Sequence, residues 1–284
     1  WTDTSLFIMR FVGAPFVFSF QQVGTNCGLI GKNAAVEVDG SAYWMSENGF
    51  FRYTGKLDSL ACLVEDYVYD DINTVPRQHI YAGLNNLFGE VTWFYPGSGA
   101  ASNNRAVTYN YMDSTPERPV WTTSSLARST WSDSHIFGKP HATEYDSSAT
   151  SDTTVGNTDG VTVYYEHETG QDQIKAGART GISASIESGD FDISATQGGG
   201  ADLRGDGEHM MKIRRVLPDF LQQTGDARVT LNLKNYPTDS QASSSLGPFT
   251  TTTSTTKIDT RARARAISLK VDNTSTKQHW KLGT

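Results

Sequence analysis

Hydrophobic and polar residues alternate in short stretches along most of this chain. ISASIESGDFDIS (182–194) is an example, and such alternation indicates half-buried β-strands. Turn-forming residues separate the stretches. The 26 Gly, 13 Phe, 12 Tyr and 6 Trp of the 284 residues fit strands joined by tight turns. The pattern therefore predicts an all-β protein.

Three aromatic hairpins are predicted in residues 1–180. Asn48–Gly49 is the expected turn of the first, since this dipeptide is the strongest short hairpin signal. Asp159–Gly160 lies near the turn of the third. The hairpins are AYWMSENGFFRYTG (42–55), EVTWFYPGSGAASNNRAVTYNYMD (90–113) and YDSSATSDTTVGNTDGVTVYYEHETG (145–170).

A constant spacing relates the three hairpins. Tyr53, Tyr109 and Tyr165 lie on the return strands and are 56 residues apart. Units of this order with about four short strands are typical of β-propeller blades. We predict that residues 1–180 form part of a β-propeller, and a meander or a sandwich of aromatic hairpins is the alternative. DYVYDDIN (66–73) is expected to be a short helix or turn between units.

The apolar stretch LFIMRFVGAPFVFSF (6–20) is interrupted by Arg10, Gly13 and Pro15. No basic segment and no cleavage site precede it in this sequence, so we do not expect it to be a signal peptide. We predict two buried strands around a Gly-Ala-Pro turn. No run of eighteen apolar residues occurs in the chain, so no membrane span is expected.

Residues 181–284 are predicted to form a β-sandwich-like domain of about five strands. A polar linker, TDSQASSSLGP (238–248), leads to a Thr-rich strand. One long strand, TKIDTRARARAISLKV (256–271), follows, because Thr, Ile and Val favour strand over helix.

The long strand carries a row of arginines, Arg261, Arg263 and Arg265, and an aliphatic run continues at the same parity. On a single strand all of these side chains point to one face. The arginines are then solvated, or paired with acidic groups of the same or a neighbouring subunit. Alternatively they line something anionic while the aliphatic half enters the core. Arginine suits either use, because its planar fork binds carboxylates and phosphates bidentately.

The net charge of −7 is unevenly distributed. Residues 1–180 carry 11 Lys and Arg against 20 Asp and Glu, whereas residues 181–284 carry 13 against 11. A protein that coats nucleic acid needs a basic face throughout, so the charge argues against that class.

The two cysteines, Cys27 and Cys62, are predicted to be buried free thiols. The chain begins at Trp1 and ends after a strand-like WKLGT, so we expect part of a longer protein.

No motif points to catalysis, a metal or a cofactor. On a strand, His167 points away from Glu166 and Glu168, so these three cannot converge on one ion. Asp66, Asp70 and Asp71 are expected to be surface carboxylates, and the Arg204–Gly205–Asp206 triplet is expected to be a Gly-rich turn. Glu187, Asp190 and Asp192 are candidates for the paired carboxylates of a glycoside hydrolase only in the sense that sequence spacing cannot identify such pairs. We predict that the protein is not an enzyme.

Eight stretches of the chain form a recognisable series. In order they are FVGAPFVFSFQQVGTNCGLI, AVEVDGSAYWMSENGFFRYTG, DYVYDDIN, WFYPGSGAASNNRAVTYNY, YEHETG, SGDFDI, IRRVLPDF and RARARAISLKV. This series resembles the tail nozzle proteins of short-tailed, double-stranded DNA bacteriophages, also called tail tubular protein B. The resemblance covers nearly the whole chain and places it in the C-terminal part of such a protein.

The resemblance implies a structural virion protein of the phage tail, assembled in the host cytoplasm. Proteins of this family have a β-propeller on or beside β-sandwich elements, and six copies form the tube through which the genome is ejected. The implied partners are further copies in a homohexamer, the tail adaptor above, and tail fibre or spike proteins. Double-stranded DNA would pass without sequence-specific binding, and the family has no catalytic residues to carry over.

In a six-fold ring, Arg261, Arg263 and Arg265 on the lumen would grip the phosphates of the DNA. We therefore favour pairing with carboxylates between subunits or domains, and a gate that holds the DNA end is the alternative. The main alternative function is a β-propeller that binds carbohydrate or a receptor, with exposed Tyr43–Trp44 or Trp93–Tyr95 stacking on sugar rings. Packing of these aromatics between blades is their other expected role. A propeller hydrolase is a third reading.

Overall fold

The structure is a computed structural model that describes residues 1–134, 136–146, 160–175, 177–193, 209–236 and 239–283. Within these ranges the chain is all-β, as predicted, apart from one short α-helix and one 3₁₀ turn. It divides into two compact units, Trp1–Thr169 and Gly170–Thr284, whereas the predicted boundary follows residue 180. No helix of the described part has the length and apolarity that a membrane crossing requires.

The first unit contains one hairpin followed by three sheets. The helix α1 and the 3₁₀ turn lie between the first and second sheets along the chain. The elements are β1 (Ser5–Phe11), β2 (Phe18–Thr25), β3 (Ala35–Val38), β4 (Ser41–Ser46), β5 (Gly49–Tyr53), β6 (Leu57–Leu60), α1 (Glu65–Asp71), the 3₁₀ turn (Arg77–His79), β7 (Tyr81–Asn85), β8 (Glu90–Tyr95), β9 (Arg105–Asn110), β10 (Trp121–Ser124), β11 (Thr130–Asp133), β12 (Pro140–Asp146) and β13 (Val161–Glu166).

Each of the three sheets is an antiparallel meander whose strands follow chain order: β3–β6, β7–β10 and β11–β13. Tyr53, Tyr109 and Tyr165 each occupy the fifth position of the third strand, in β5, β9 and β13. The 56-residue spacing is thus a repeat of the structure as well as of the sequence. The sheets of the described residues do not close into a ring, and the propeller stays a prediction.

Tryptophan side chains connect successive sheets of the first unit. Trp93 Nε1 donates to the Ala34 carbonyl at 3.0 Å, and Trp131 Nε1 donates to the Leu84 carbonyl at 2.8 Å. Gly83 on β7 makes room for the second contact, because a Cβ there would lie 2.7 Å from the Trp131 ring. The first strands β3, β7 and β11 therefore lie side by side.

The predicted turns and helix are close to those observed. The first hairpin turns at Glu47 and Asn48, one residue earlier than predicted, and Gly49 pairs with Ser46 at a φ of +120° that suits glycine. The hairpins β8–β9 and β12–β13 and the helix α1 are confirmed. Asp159 lies outside the described residues, as does the Arg-Gly-Asp triplet.

The hairpin β1–β2 differs from its prediction in burial. Strands and turn lie where expected, but the strands are not buried: Phe7, Met9, Phe11, Phe18 and Phe20 are 41–73% exposed. The error has a physical reason, because an apolar stretch shows that a strand has apolar side chains to bury but not that another element covers them. Cys27 is buried, Cys62 is half-buried, and both are free thiols. Burial raises the pKa of Cys62 to about 12.

The second unit contains a four-stranded sheet and three two-stranded sheets. The four-stranded sheet has the order β16–β22–β19–β20, and the pairs are β14–β15, β17–β21 and β18–β23, all antiparallel. The strands are β14 (Asp172–Lys175), β15 (Ala178–Gly181), β16 (Ala184–Glu187), β17 (Met211–Val216), β18 (Phe220–Thr224), β19 (Ala227–Lys234), β20 (Ser244–Thr251), β21 (Ile258–Ala264), β22 (Ala266–Asn273) and β23 (His279–Leu282).

The pair β17–β21 and the four-stranded sheet bury a common core. Ala262 and Ala264 of β21 are fully buried against Leu231 and Leu233 of β19 and Ile267 of β22. Methyl side chains at these positions let the two layers approach closely, so small residues here are a packing requirement.

Three predictions for this region are wrong. About five strands are predicted for residues 181–284, whereas the described part contains eight, β16 to β23. The second half of the expected linker is strand β20, which pairs with β19. The single long strand is two strands, β21 and β22, because the chain bends at Arg265 and passes from one sheet into the other.

Candidate interaction surface

The bend at Arg265 explains why a row of arginines is followed by a row of aliphatics. In β21 the alanines point into the core, so Arg261 and Arg263 are exposed on the opposite face. After the bend, β22 belongs to the facing sheet, and the parity that pointed outward now points inward at Ile267 and Val271. The odd-numbered residues are therefore exposed in β21, before the bend, whereas Ile267 and Val271 are buried in β22, after it.

Arg265 is separated from the other two arginines. It lies at the bend itself and is half-buried, and its backbone N–H donates to the Lys234 carbonyl at 3.1 Å. Of the three predicted arginines, the structure therefore places Arg261 and Arg263 on one surface.

The neighbouring strand β17 adds two cations to this surface. Lys212 is directly opposite Arg263 in the ladder, and Arg214 follows Ile213, whose side chain packs into the core. Both Lys212 and Arg214 are exposed. We call Lys212, Arg214, Arg261 and Arg263 the basic face. Within the described residues none of these four forms an ion pair.

Carboxylates do reach one end of the pair β17–β21. Asp259 Oδ1 lies 2.7 Å from Arg215 Nε, and its Oδ2 lies 3.2 Å from Lys257 Nζ. Hydrogen bonds from these two cations hold the pKa of Asp259 below its usual value. Asp259 is thus already occupied by two other cations and does not neutralise the basic face.

In the four-stranded sheet, by contrast, several charged side chains have partners within the same unit. Arg228 pairs with Asp272, and Lys234 Nζ lies 2.6 Å from Asp190 Oδ2. Glu187 accepts hydrogen bonds from Asn232 at 2.7 Å and Ser268 at 2.6 Å, and the hydroxyl of Ser268 is the largest cause of its lowered pKa. Glu187 and Asp190 of ESGDFD therefore bind groups of the sheet itself, whereas the four cations of the basic face have no carboxylate partner within the described residues.

Lys212 and Arg214 were missed in the sequence, although a signal for them exists. In MKIRRV the polar residues Lys212 and Arg214 alternate with Met211 and Ile213, which indicates a strand with a basic outer face. Only the register shows that this face adjoins Arg263.

Other predicted groups have structural partners. His167 accepts a hydrogen bond from Arg128 Nε at 3.0 Å, whereas Glu168 Oε1 accepts one from Asn85 at 3.1 Å, so the two side chains point to different partners. Asp71 pairs with Arg105 at 2.9 Å. The described residues contain no group of three or more His, Cys, Asp or Glu arranged to hold a metal ion.

The aromatic pairs considered for sugar binding lie in the core. Tyr43, Trp44, Trp93 and Tyr95 are at most 5% exposed, which fits packing between sheets and excludes stacking on an external sugar ring.

A cleft of about 720 Å³ in the first unit was not predicted. Trp131 and Tyr145 line it together with polar residues that include Gln78, His79 and Asn103. Asn103 is 7% exposed, and its amide donates to the carbonyls of His79 and Arg128. Sequence reasoning could not find this cleft because its lining comes from loops and strand starts of three different sheets.

Neither the models of known protein families nor the curated protein sequences give a match to this chain.

Proposed function

We propose that the protein is a structural subunit of the tail nozzle of a short-tailed, double-stranded DNA bacteriophage. In this role copies assemble into a homohexameric conduit below the tail adaptor, through which the genome leaves. The observation that carries the proposal is the basic face: four cations without ion pairs in the described residues of a chain whose net charge is −7. The series of eight stretches that resembles such proteins supplies the family.

An uncompensated basic face on an acidic chain suits contact between copies. Opposite charges across an interface guide association and fix its register more than they add affinity. In a ring of identical subunits every copy presents both surfaces, so a basic face on one copy meets carboxylates on the next. Arg261 and Arg263 would form bidentate contacts with those carboxylates.

The repeated meanders support the propeller part of the proposal. Three consecutive antiparallel sheets with their first strands adjacent are what successive propeller blades would look like. The shared core of β17–β21 and the four-stranded sheet likewise supports a β-sandwich-like second domain. The acidic balance of the chain suits a conduit, because it repels DNA and keeps passage free of drag.

The test is the assembly state of the chain, alone and co-expressed with a tail adaptor, by light scattering and negative-stain electron microscopy. We expect six-fold rings or tubes in at least one condition. The double variant Arg261→Glu, Arg263→Glu should weaken the assembly. The double variant Lys32→Glu, Arg118→Glu should not, since both residues are exposed cations of the first unit and this variant reverses the same number of charges. Persistent monomers in both conditions, or equal effects of the two variants, would argue against the proposal.

The cleft of the first unit favours a second candidate, a carbohydrate- or receptor-binding module of a virion. Polar groups beside Trp131 and Tyr145 match the chemistry of sugar recognition, in which rings pack on apolar sugar faces and amides bind hydroxyls. A glycan array tests it: binding that is lost in Tyr145→Ala would support this role, and an array without signal would leave the nozzle as the function.

A further inference from the structure

The hairpin β1–β2 is amphipathic, and its apolar side is exposed to solvent. In the ladder Met9 is opposite Phe20 and Phe11 is opposite Phe18, so these side chains share a face with Phe7. The Phe11 and Phe18 rings contact edge to face at 5.9 Å between centroids. We call Phe7, Met9, Phe11, Phe18 and Phe20 the apolar face.

The opposite face of the same hairpin is mostly polar. Arg10 is paired with Ser19, and Ile8 is paired with Gln21. Side chains of opposite character are thus sorted onto two sides of a two-stranded ribbon, as in a sheet that covers a core on one side. In the described part of the first unit no strand pairs with the free edges of the ribbon.

The base of the ribbon is anchored, so its exposed face is held in place. Leu6 is 5% exposed and packs in a cluster with Cys27 and Trp44. The Cys27 N–H donates to the Thr4 carbonyl at 3.2 Å, and Gln22 Nε2 donates to Ser5 Oγ at 3.1 Å. A fixed base lowers the entropy that a partner must remove when it binds.

We propose that the apolar face of the β1–β2 ribbon is an association surface, and that its partner is the same ribbon of a second copy of this chain. A contact between the same face on two copies is two-fold and makes a dimer, so it goes beyond the ring contacts of the proposed function and does not depend on them.

The apolar face and the adjoining turn residue Phe16 together expose an area that fits a protein partner. Phe7, Phe11, Phe16, Phe18 and Phe20 are 41%, 73%, 76%, 49% and 69% exposed. With about 200 Å² for a fully exposed aromatic side chain, these five present about 600 Å². A standard interface buries about 800 Å² on each partner, and Met9, Val12 and Val17, each more than half exposed, adjoin these rings.

The backbone favours a second ribbon over a lipid surface. Each strand of a two-stranded ribbon has one edge with unpaired N–H and C=O groups, and such edges pair readily with another strand. In hydrocarbon those groups would stay unsatisfied, at a cost of several kcal/mol each. A second ribbon packed face to face covers the apolar face and leaves the strand edges at the rim, where water satisfies their N–H and C=O groups.

The experiment compares the association of the wild-type chain with that of Phe11→Ser, Phe20→Ser by analytical ultracentrifugation at 0.1 M and 1 M NaCl. We expect wild-type association to persist at 1 M NaCl, because apolar contacts are not screened. The variant should associate about 100-fold more weakly. Both substituted side chains are exposed, so the variant should keep the wild-type circular dichroism spectrum.

The matched control is Leu63→Ser, Val75→Ser. These residues are 78% and 88% exposed and lie in the same unit away from the ribbon, so this variant should associate like the wild type. A photo-crosslinking residue at position 11 should join two copies through β1 or β2, and one at position 63 should not. An equal loss in the control variant, or crosslinks from position 11 to other segments, would overturn the proposal.

Two further outcomes separate this inference from its competitors. The proposal would be overturned in favour of a lipid surface if the wild-type chain is monomeric in solution and binds phosphatidylcholine–phosphatidylglycerol vesicles in a flotation assay, and if Phe11→Ser, Phe20→Ser abolishes that binding. The ribbon contact would also be overturned if association is lost at 1 M NaCl and in Arg261→Glu, Arg263→Glu but persists in the ribbon variant. That result would support the contact through the basic face instead. Salt-resistant, ribbon-dependent dimers without rings would support the ribbon contact and argue against the nozzle.

Discussion

The first unit fills its core with large rings, whereas the second fills its core with small and aliphatic side chains. Trp44, Trp93, Tyr95 and Phe50 are fully buried in the first unit, and the indole N–H of Trp93 is satisfied by a backbone carbonyl of another sheet. The buried core of the second unit instead contains residues such as Ala262, Ala264, Leu231, Ile267 and Val271.

The difference shows two ways of fixing one sheet against another. A ring with a hydrogen bond at its rim is directional, so it sets the register between sheets as well as burying area. Methyl and aliphatic side chains set only a close distance, and in the second unit polar pairs such as Arg228–Asp272 and Lys234–Asp190 accompany them. The first unit should therefore be most sensitive to loss of a ring, and the second to any gain in size or charge.

Loss of Trp93 should have the largest effect. Trp93→Ala removes a fully buried ring and its hydrogen bond to Ala34, so we expect the free energy of unfolding of the first unit to fall by about 3–5 kcal/mol. Urea unfolding followed by circular dichroism measures it. Trp93→Phe keeps a ring without the N–H and should cost less, and an equal cost for both variants would contradict the role assigned to the ring.

A buried charge in β21 should destabilise the second unit nearly as much. Ala262→Asp places an unpaired carboxylate in the closest part of the core, at an expected cost of about 3 kcal/mol or more. Trp280 is the single tryptophan of that unit, so its ¹⁹F resonance in a fluorotryptophan-labelled chain, assigned with Trp280→Phe, reports the unfolding of that unit. Arg261→Asp changes the adjacent, exposed position and should shift the free energy by less than about 1 kcal/mol. A similar shift in both variants would show that Ala262 is not in a tightly packed core.

His167 should make the free energy of unfolding of the first unit depend on pH. Burial and the nearby Arg128 lower its pKa to about 4, while an unfolded histidine has a pKa of about 6.5. The stabilising contribution is therefore present above pH 6.5 and is lost as the pH falls towards 4, because the unfolded chain binds the proton first.

After allowance for solvent screening, the expected loss is about 1–2 kcal/mol between pH 7 and pH 4. Unfolding curves of wild type and His167→Gln at pH 7, 5.5 and 4.5 test it. The difference between the two proteins should shrink as the pH falls. A constant difference would show that His167 does not contribute through its protonation. The raised pKa values of Glu90 and Glu168 affect both proteins alike and cancel in this comparison.

The sequence predicted well what periodicity alone determines. The spacing of Tyr53, Tyr109 and Tyr165 located the third strand of three successive sheets, and an apolar stretch divided by Gly-Ala-Pro located the hairpin β1–β2. Periodicity carries no information about which element covers a face, so the exposure of Phe11 was missed. It also cannot show a strand that changes sheets, because parity runs unbroken through Arg265 while the core moves to the other side. The basic face depends on the pairing of two distant strands, which only the register supplies.

The smallest expected effect is on the basic face, where stability and association should move in opposite directions. Lys212 and Arg263 are directly opposite across β17–β21, and like charges in such a pair are unfavourable. Arg263→Glu turns the repulsion into attraction, so we expect the second unit to gain about 0.2–1 kcal/mol in Trp280-monitored unfolding. Lys212→Glu should give a similar gain, and the double variant should lose both because it restores two like charges. If the double variant is as stable as either single variant, the two side chains do not interact. If Arg263→Glu stabilises the fold while weakening assembly, the wild-type repulsion is retained for a contact with another molecule rather than for the fold.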